Sequence, residues 1–160
     1  MIPNGKKGVW EIQNHNGMTI LLKNSKPYLD NTYFDCIGDL SRLTGKVLCS
    51  GLGLGFIIEH LVKKPEIESI TCIEISQDLI DLVWEHLEKN GKAEIICMDI
   101  NDYLALNTFS YLDSVFIDIW YPNENGAREG IISVRSELEK SMEAERIVIW
   151  EERKFMDGVI

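Results

Sequence analysis

The sequence predicts a doubly wound α/β fold carried behind a small N-terminal β unit. Three observations predict it. Short apolar runs alternate with helix-like segments from Lys46 onward. The first of those runs ends in three closely spaced glycines, Gly51, Gly53 and Gly55. Before it, Asn16-Gly17 stands between two strand-like runs, a hairpin signal.

The elements follow in order. "VWEIQNHNGMTILLKN" reads as the hairpin, and "SKPYLDNTYFDCIGDLSRL" as a Pro-containing turn entering a short helical stretch. Val47 to Ser50 is a short buried strand, and Gly55 to Lys63 a helix that Pro65 stops. "SITCIEI" is a second strand, rich in β-branched residues. "SQDLIDLVWEHLEKNG" reads as one helix. Ser76 caps it, Asp78 lies in its positive first turn, and Leu79, Val83 and Leu87 share a face. Asn90-Gly91 is its expected left-handed stop. "AEIICMD" is the third strand and "NDYLAL" a short helix. "YLDSVFIDIW" is the fourth strand, followed by a long loop through Pro122 and Gly126. "EGIISVRSELEKSMEA" is helical, with Ile131, Val134, Leu138 and Met142 on one side, and "ERIVIW" is the fifth strand. Near-continuous apolar strands are buried on both faces, as parallel strands under helices are. We therefore expect residues 1–40 to form the hairpin unit and 41–160 the core, together one compact domain.

Composition narrows the function classes. A formal charge of −10 argues against a nucleic-acid binder, because phosphates are held by Lys and Arg. None of the four cysteines sits at CxxC spacing, which argues against a zinc site or redox dithiol, and no metal is expected. Cys49, Cys72 and Cys97 fall in apolar runs and read as small buried hydrophobes, fitting a reducing, cytoplasmic setting. The N-terminus lacks the apolar stretch of a signal peptide, and no run is long enough to span a membrane.

The chemistry lies where the strands stop. Gly51, Gly53 and Gly55 follow the first strand, Glu74 ends the second, Asp99 the third and Asp118 the fourth. In an open α/β sheet these ends converge on one crevice. A turn without Cβ atoms suits a ligand lying against the backbone, or simply a tight turn. Glu74, 23 residues after Gly51, is placed to accept both hydroxyls of an adenosine ribose. Both a dinucleotide and an S-adenosyl compound carry that ribose. The dinucleotide fingerprint wants glycine at its sixth position, where this chain has Phe56. Asp99 can accept an adenine amino group, with the backbone N–H of Ile100 facing the ring; alternatively it caps the helix that starts near Asn101. Trp120 and Tyr121 could wall a sulfonium or a cationic acceptor, or pack their loop on the core. His15, His60 and His86 have no nucleophile partner in the sequence pattern and read as structural.

"VLCSGLGLG", "ITCIEIS", "IICMDI" and "VFIDIWYP" together resemble the successive motifs of class I S-adenosylmethionine-dependent methyltransferases, nearest to the spermidine synthase-like branch. The resemblance covers roughly residues 10–150, including an N-terminal β unit ahead of the Rossmann-like core. It implies that Gly51, Gly53 and Gly55 line the methionine part of the cofactor, that Glu74 with Ile75 borders the ribose, and that Asp99 and Ile100 frame the adenine. Asp118 matches the acid that positions or deprotonates an attacking amine, with Trp120 and Tyr121 on the substrate side. Aminopropyltransferases usually carry a second acid three residues after the first, where this chain has Tyr121, and that weakens the case for a polyamine. The sequence also stops soon after the fifth strand, where the family continues with a helix and an antiparallel strand pair. An uncovered sheet edge would then favour a homo-oligomer. The resemblance implies a methyltransferase using S-adenosylmethionine on a small-molecule or protein acceptor. The alternatives are aminopropyl transfer from the decarboxylated cofactor, another S-adenosyl-using enzyme, and a non-catalytic binding or assembly protein with the same fold.

Overall fold

The computed structural model describes residues 2–32, 40–106, 111–119 and 126–150. The N-terminal sheet is an antiparallel meander of β1 (Gly5–Lys7), β2 (Trp10–His15), β3 (Met18–Lys23) and β4 (Lys26–Asp30). Asn16 and Gly17 both take left-handed backbone, at φ 51° and 82°, and His15 pairs with Met18 across them. That is the two-residue hairpin whose twist matches its strands. Alternation sets the faces: Trp10, Ile12 and Leu21 are buried on one, while Gln13 on the other is exposed.

"SKPYLD" departs from expectation. It is not a turn entering a helix but the edge strand β4, paired with β3 through a bulge between Leu21 and Leu22. An edge strand tolerates Pro27, whose missing N–H can face away from the ladder. The reversal comes instead at Asn24-Ser25, both left-handed at φ 53° and 62°, anchored by Asn24 N donating to Val9 O at 2.8 Å.

The second sheet contains β5 (Gly45–Ser50), β6 (Ile67–Glu74), β7 (Ala93–Cys97), β8 (Ser114–Ile117) and β9 (Ile147–Ile149). Its order is β7-β6-β5-β8-β9, and every neighbouring pair is parallel. The chain winds outward from β5 to β7, then returns to β8 on the other side of β5. The winding reverses at β5 and β8, and in sheets of this kind the carboxyl ends at such a switch point are where ligands bind. The two faces of the sheet bury different sets. Val47, Cys49, Ile70, Cys72 and Phe116 pack with α1 (Phe56–Leu61), α2 (Gln77–Val83) and the buried face of the meander. Leu48, Ile73, Val115 and Ile117 pack with α3 (Ile100–Leu106) and α4 (Ala127–Leu138).

Three further expectations are corrected. The helix expected through "EGIISVRSELEKSMEA" runs only from Ala127 to Leu138, so Met142 lies beyond its end. The helix expected to run through "SQDLIDLVWEHLEKNG" ends at Val83, and a tighter 3₁₀ turn covers Trp84–His86. Leu87 is extended (φ −84°, ψ 143°), and its buried side chain drops onto Gly55. Lys89 Nζ donates to Trp84 O at 2.6 Å and to Leu87 O at 3.1 Å, taking up carbonyls that a continuing helix would bond. Asn90 and Gly91, at φ 49° and 69°, thus turn the chain into β7 rather than capping α2. Cys97 is exposed, unlike buried Cys49 and Cys72, because β7 is the sheet's edge strand. Cys36 lies outside the described residues. Among the described residues, no helix is long and apolar enough to cross a membrane.

Candidate functional site

The glycine turn is shaped by the chain itself. Gly51 has φ 94°, and its N–H donates to Ile73 O at 2.9 Å. Beside it, Asp118 N donates to Ser50 O at 2.9 Å, so the ends of β5 and β8 press together. A Cβ on Gly51 would lie 1.9 Å from Asp118 O, which is impossible without moving backbone. At Gly55, which precedes α1 at φ 75°, a Cβ would lie 2.4 Å from Leu87 Cδ1. Gly53 faces the meander, with Leu29 Cδ2 3.3 Å from where its Cβ would be. The tight-turn reading therefore accounts for these glycines by packing alone, and the ligand argument rests on the acids.

Glu74 is the best-defined of them. It is 8% exposed, at the carboxyl end of β6. Oε2 accepts from Leu52 N at 2.9 Å, and Oε1 accepts from Ser76 N at 2.9 Å. A carboxylate has about two lone-pair sites per oxygen, so one on each remains for another donor. Two such acceptors on one planar group match the spacing of a vicinal diol. Ile75, next in the chain, is 67% exposed, an apolar surface open to solvent at the end of the strand.

Ser76 caps α2: its Oγ accepts from Leu79 N at 3.3 Å and also from Trp10 Nε1 at 2.8 Å. The N-terminal sheet thereby reaches the edge of the site. Asp99 follows β7, half-buried. Its Oδ1 accepts from Asn101 N at 2.7 Å and Asn101 Nδ2 at 3.0 Å, and its carbonyl takes Tyr103 N at 3.0 Å. The capping alternative thus describes half of this carboxylate, and Oδ2 makes no hydrogen bond among the described residues. Ile100, buried, begins α3. Asp118 is half-buried at the end of β8, against Gly51. Trp120 and Tyr121 lie outside the described residues.

The strand ends bring the glycine turn together with Glu74 on one side and Asp118 on the other. The histidines stand apart from this edge. His60 is on α1, and burial, with Lys64 and Lys63 adding to it, lowers its pKa. Burial pushes the Cys49 thiol up to about 12 and raises that of Cys72 well above its ordinary value. Neither is poised as a nucleophile at neutral pH. Among the described residues there is no group of three or more metal-ligating side chains. Sequence reasoning missed Trp10, Leu29 and Leu87 around the site. Each looks like a generic core residue in one dimension, and only the fold shows what it touches.

No protein-family model and no curated protein matches the sequence. Among solved structures the chain is similar to the spermidine synthase of Thermotoga maritima, at 16% identity and a TM-score of 0.57, covering 72% of this chain and 46% of that one. It is similar to a spermidine synthase in complex with the transition state analogue AdoDATO, at 17% identity and a TM-score of 0.59, covering 76% and 47%. It is also similar to a "probable spermidine synthase" of Corynebacterium glutamicum, at 12% identity and a TM-score of 0.62, covering 84% and 57%. The chain thus spans about half the length of the structures it matches. With its strand order and its leading antiparallel sheet, the chain shares the Rossmann-like fold of these spermidine synthase structures.

Proposed function

We propose that this chain binds S-adenosylmethionine and transfers its methyl group to a small-molecule or protein acceptor. One observation carries the reading. Glu74 is a buried acid at the strand end beside the glycine turn, with one amide on each oxygen and, among the described residues, a further acceptor position open on both. That is what a ribose diol requires, and the spermidine synthase solved with the transition state analogue AdoDATO shares the fold. A dinucleotide fits less well. Phe56 replaces the glycine that would let a pyrophosphate approach, and Leu52 N in the turn is already given to Glu74.

When bound, the cofactor supplies an activated sulfonium carbon. The chain's own work is then placement. Glu74 holds the ribose with Ile75 beside it, and Asp99 Oδ2 accepts from the adenine amino group. Asp118 orients the acceptor and takes its proton where the acceptor is an amine or hydroxyl. On the sequence motif alone, Trp120 and Tyr121 are assigned to the acceptor.

The likeness to spermidine synthases favours a second reading, aminopropyl transfer from the decarboxylated cofactor. Tyr121, in place of a second acid, counts against a polyamine acceptor. Calorimetry with S-adenosylmethionine, its decarboxylated form and S-adenosylhomocysteine separates the two. Binding of the first and third supports methyl transfer, and preference for the decarboxylated form supports aminopropyl transfer. Binding of none would reject both.

A further inference from the structure

The N-terminal sheet touches both segments from which Glu74 takes its hydrogen bonds. One is Ser76, whose backbone N–H reaches Glu74 Oε1 and whose Oγ accepts from Trp10 Nε1 at 2.8 Å. The other is the Leu52-Gly53 turn, where Leu52 N reaches Glu74 Oε2 and Leu29 of β4 packs against Gly53. Trp10 is itself fixed. It is 6% exposed, meets Tyr28 edge-on at 5.3 Å between ring centroids, and carries Lys23 Nζ 5.2 Å from its ring centre. More distant contacts hold the meander in place: Lys7 pairs with Asp81 of α2, and Gly8 lies against the Asp78 side chain.

We infer that Trp10 is a positioning residue for the cofactor ribose, acting through Ser76 to hold the Glu74 carboxylate, with Leu29 bracing the opposite arm. The inference rests on the proposed S-adenosyl pocket and assigns the N-terminal sheet a part in cofactor binding. Ser76 Oγ already accepts two N–H groups, filling both of its lone pairs. Removing the indole donor frees the hydroxyl to turn, and the Ser76 amide that orients Glu74 loses its outer restraint.

Trp10→Phe keeps the ring and deletes the donor. Affinity for S-adenosylhomocysteine and for its 2′-deoxyribose analogue is measured by calorimetry on the full chain, beside the thermal midpoint. The variant is expected to bind S-adenosylhomocysteine about threefold to tenfold more weakly, the worth of one hydrogen bond. Its preference for the ribose over the deoxyribose ligand should shrink by about threefold, a ratio that general loosening of the fold would leave alone. Ser76→Ala with Trp10→Phe should be no weaker than Ser76→Ala alone. If Trp10→Phe does not fold, Leu29→Ala tests the other arm with the same ratio. An unchanged ratio, or equal weakening of both ligands, overturns the inference while the S-adenosyl pocket stands. A wild-type chain that binds neither ligand overturns the pocket, and the inference with it.

Discussion

Glu74 holds two backbone amides that have no other partner among the described residues, so removing its carboxylate acts on ligand and fold together. Glu74→Ala should weaken S-adenosylhomocysteine by about a hundredfold or more, since two charge-assisted hydrogen bonds to the ribose are lost. The same change should lower unfolding free energy by about 1–3 kcal/mol through the amides left behind, measured by urea titration. Unchanged affinity would show that the acid does not serve the ribose. The glycines give a second residue-scale test, because a left-handed backbone and a crowded Cβ are separable. Gly51→Ala meets both, with φ 94° and Asp118 O in the way, and should cost more than about 3 kcal/mol. Gly91→Ala meets only the first, with φ 69° and nothing within 4 Å, and should cost about 1–2 kcal/mol. Equal losses in chemical denaturation would mean that the contact with Asp118 does not set the requirement at Gly51. Much of this was legible in one dimension, namely which acids stand at which strand ends. The partners of the glycines were not, because Asp118 and Leu87 are far away in sequence and nothing local marks them.

At the scale of elements, periodicity found the strands and the helices of the core but misjudged where two helices stop, at Val83 and at Leu138. Leu79, Val83 and Leu87 do all face the core, as the spacing requires, yet Leu87 arrives there from extended backbone. Burial at helical spacing is therefore not proof of a helix when a tertiary pocket, here the bare backbone of Gly55, draws the last side chain in. Leu87→Ala should cost about 2–4 kcal/mol by opening that cavity. It should also make room at Gly55, so that Gly55→Ala costs less in the Leu87→Ala background than in the wild type. A double-mutant cycle on unfolding free energies checks this, and strict additivity would reject the contact. β4 escaped notice for the opposite reason. Its Pro27 and the charges around it look like a turn, and only pairing with β3 makes it a strand.

Across the whole molecule, the parallel sheet conceals some thiols and leaves another accessible. Cys49 and Cys72 lie within central strands, whereas Cys97 lies on the β7 edge. A neutral-pH alkylating reagent should modify Cys97 in the folded chain far faster than the other two, read by peptide mass spectrometry. Burial also sets a pH dependence. The Cys49 thiol rises from 9.0 to about 12, so between those values the unfolded chain has lost a proton that the folded chain keeps. Stability is therefore complete below about pH 9 and declines as pH rises toward 12, with Cys49→Ala flattening the decline in urea titrations. The winding order has a kinetic side as well. The meander closes only between sequence neighbours, but Val47 of β5 must meet both nearby Ile70 and distant Ser114. Closing the longer loop costs more entropy, so β8 docks late. Until it does, the central strand carries an open apolar edge, and a nascent chain leaving the ribosome is most prone to pairing with its neighbours in that interval.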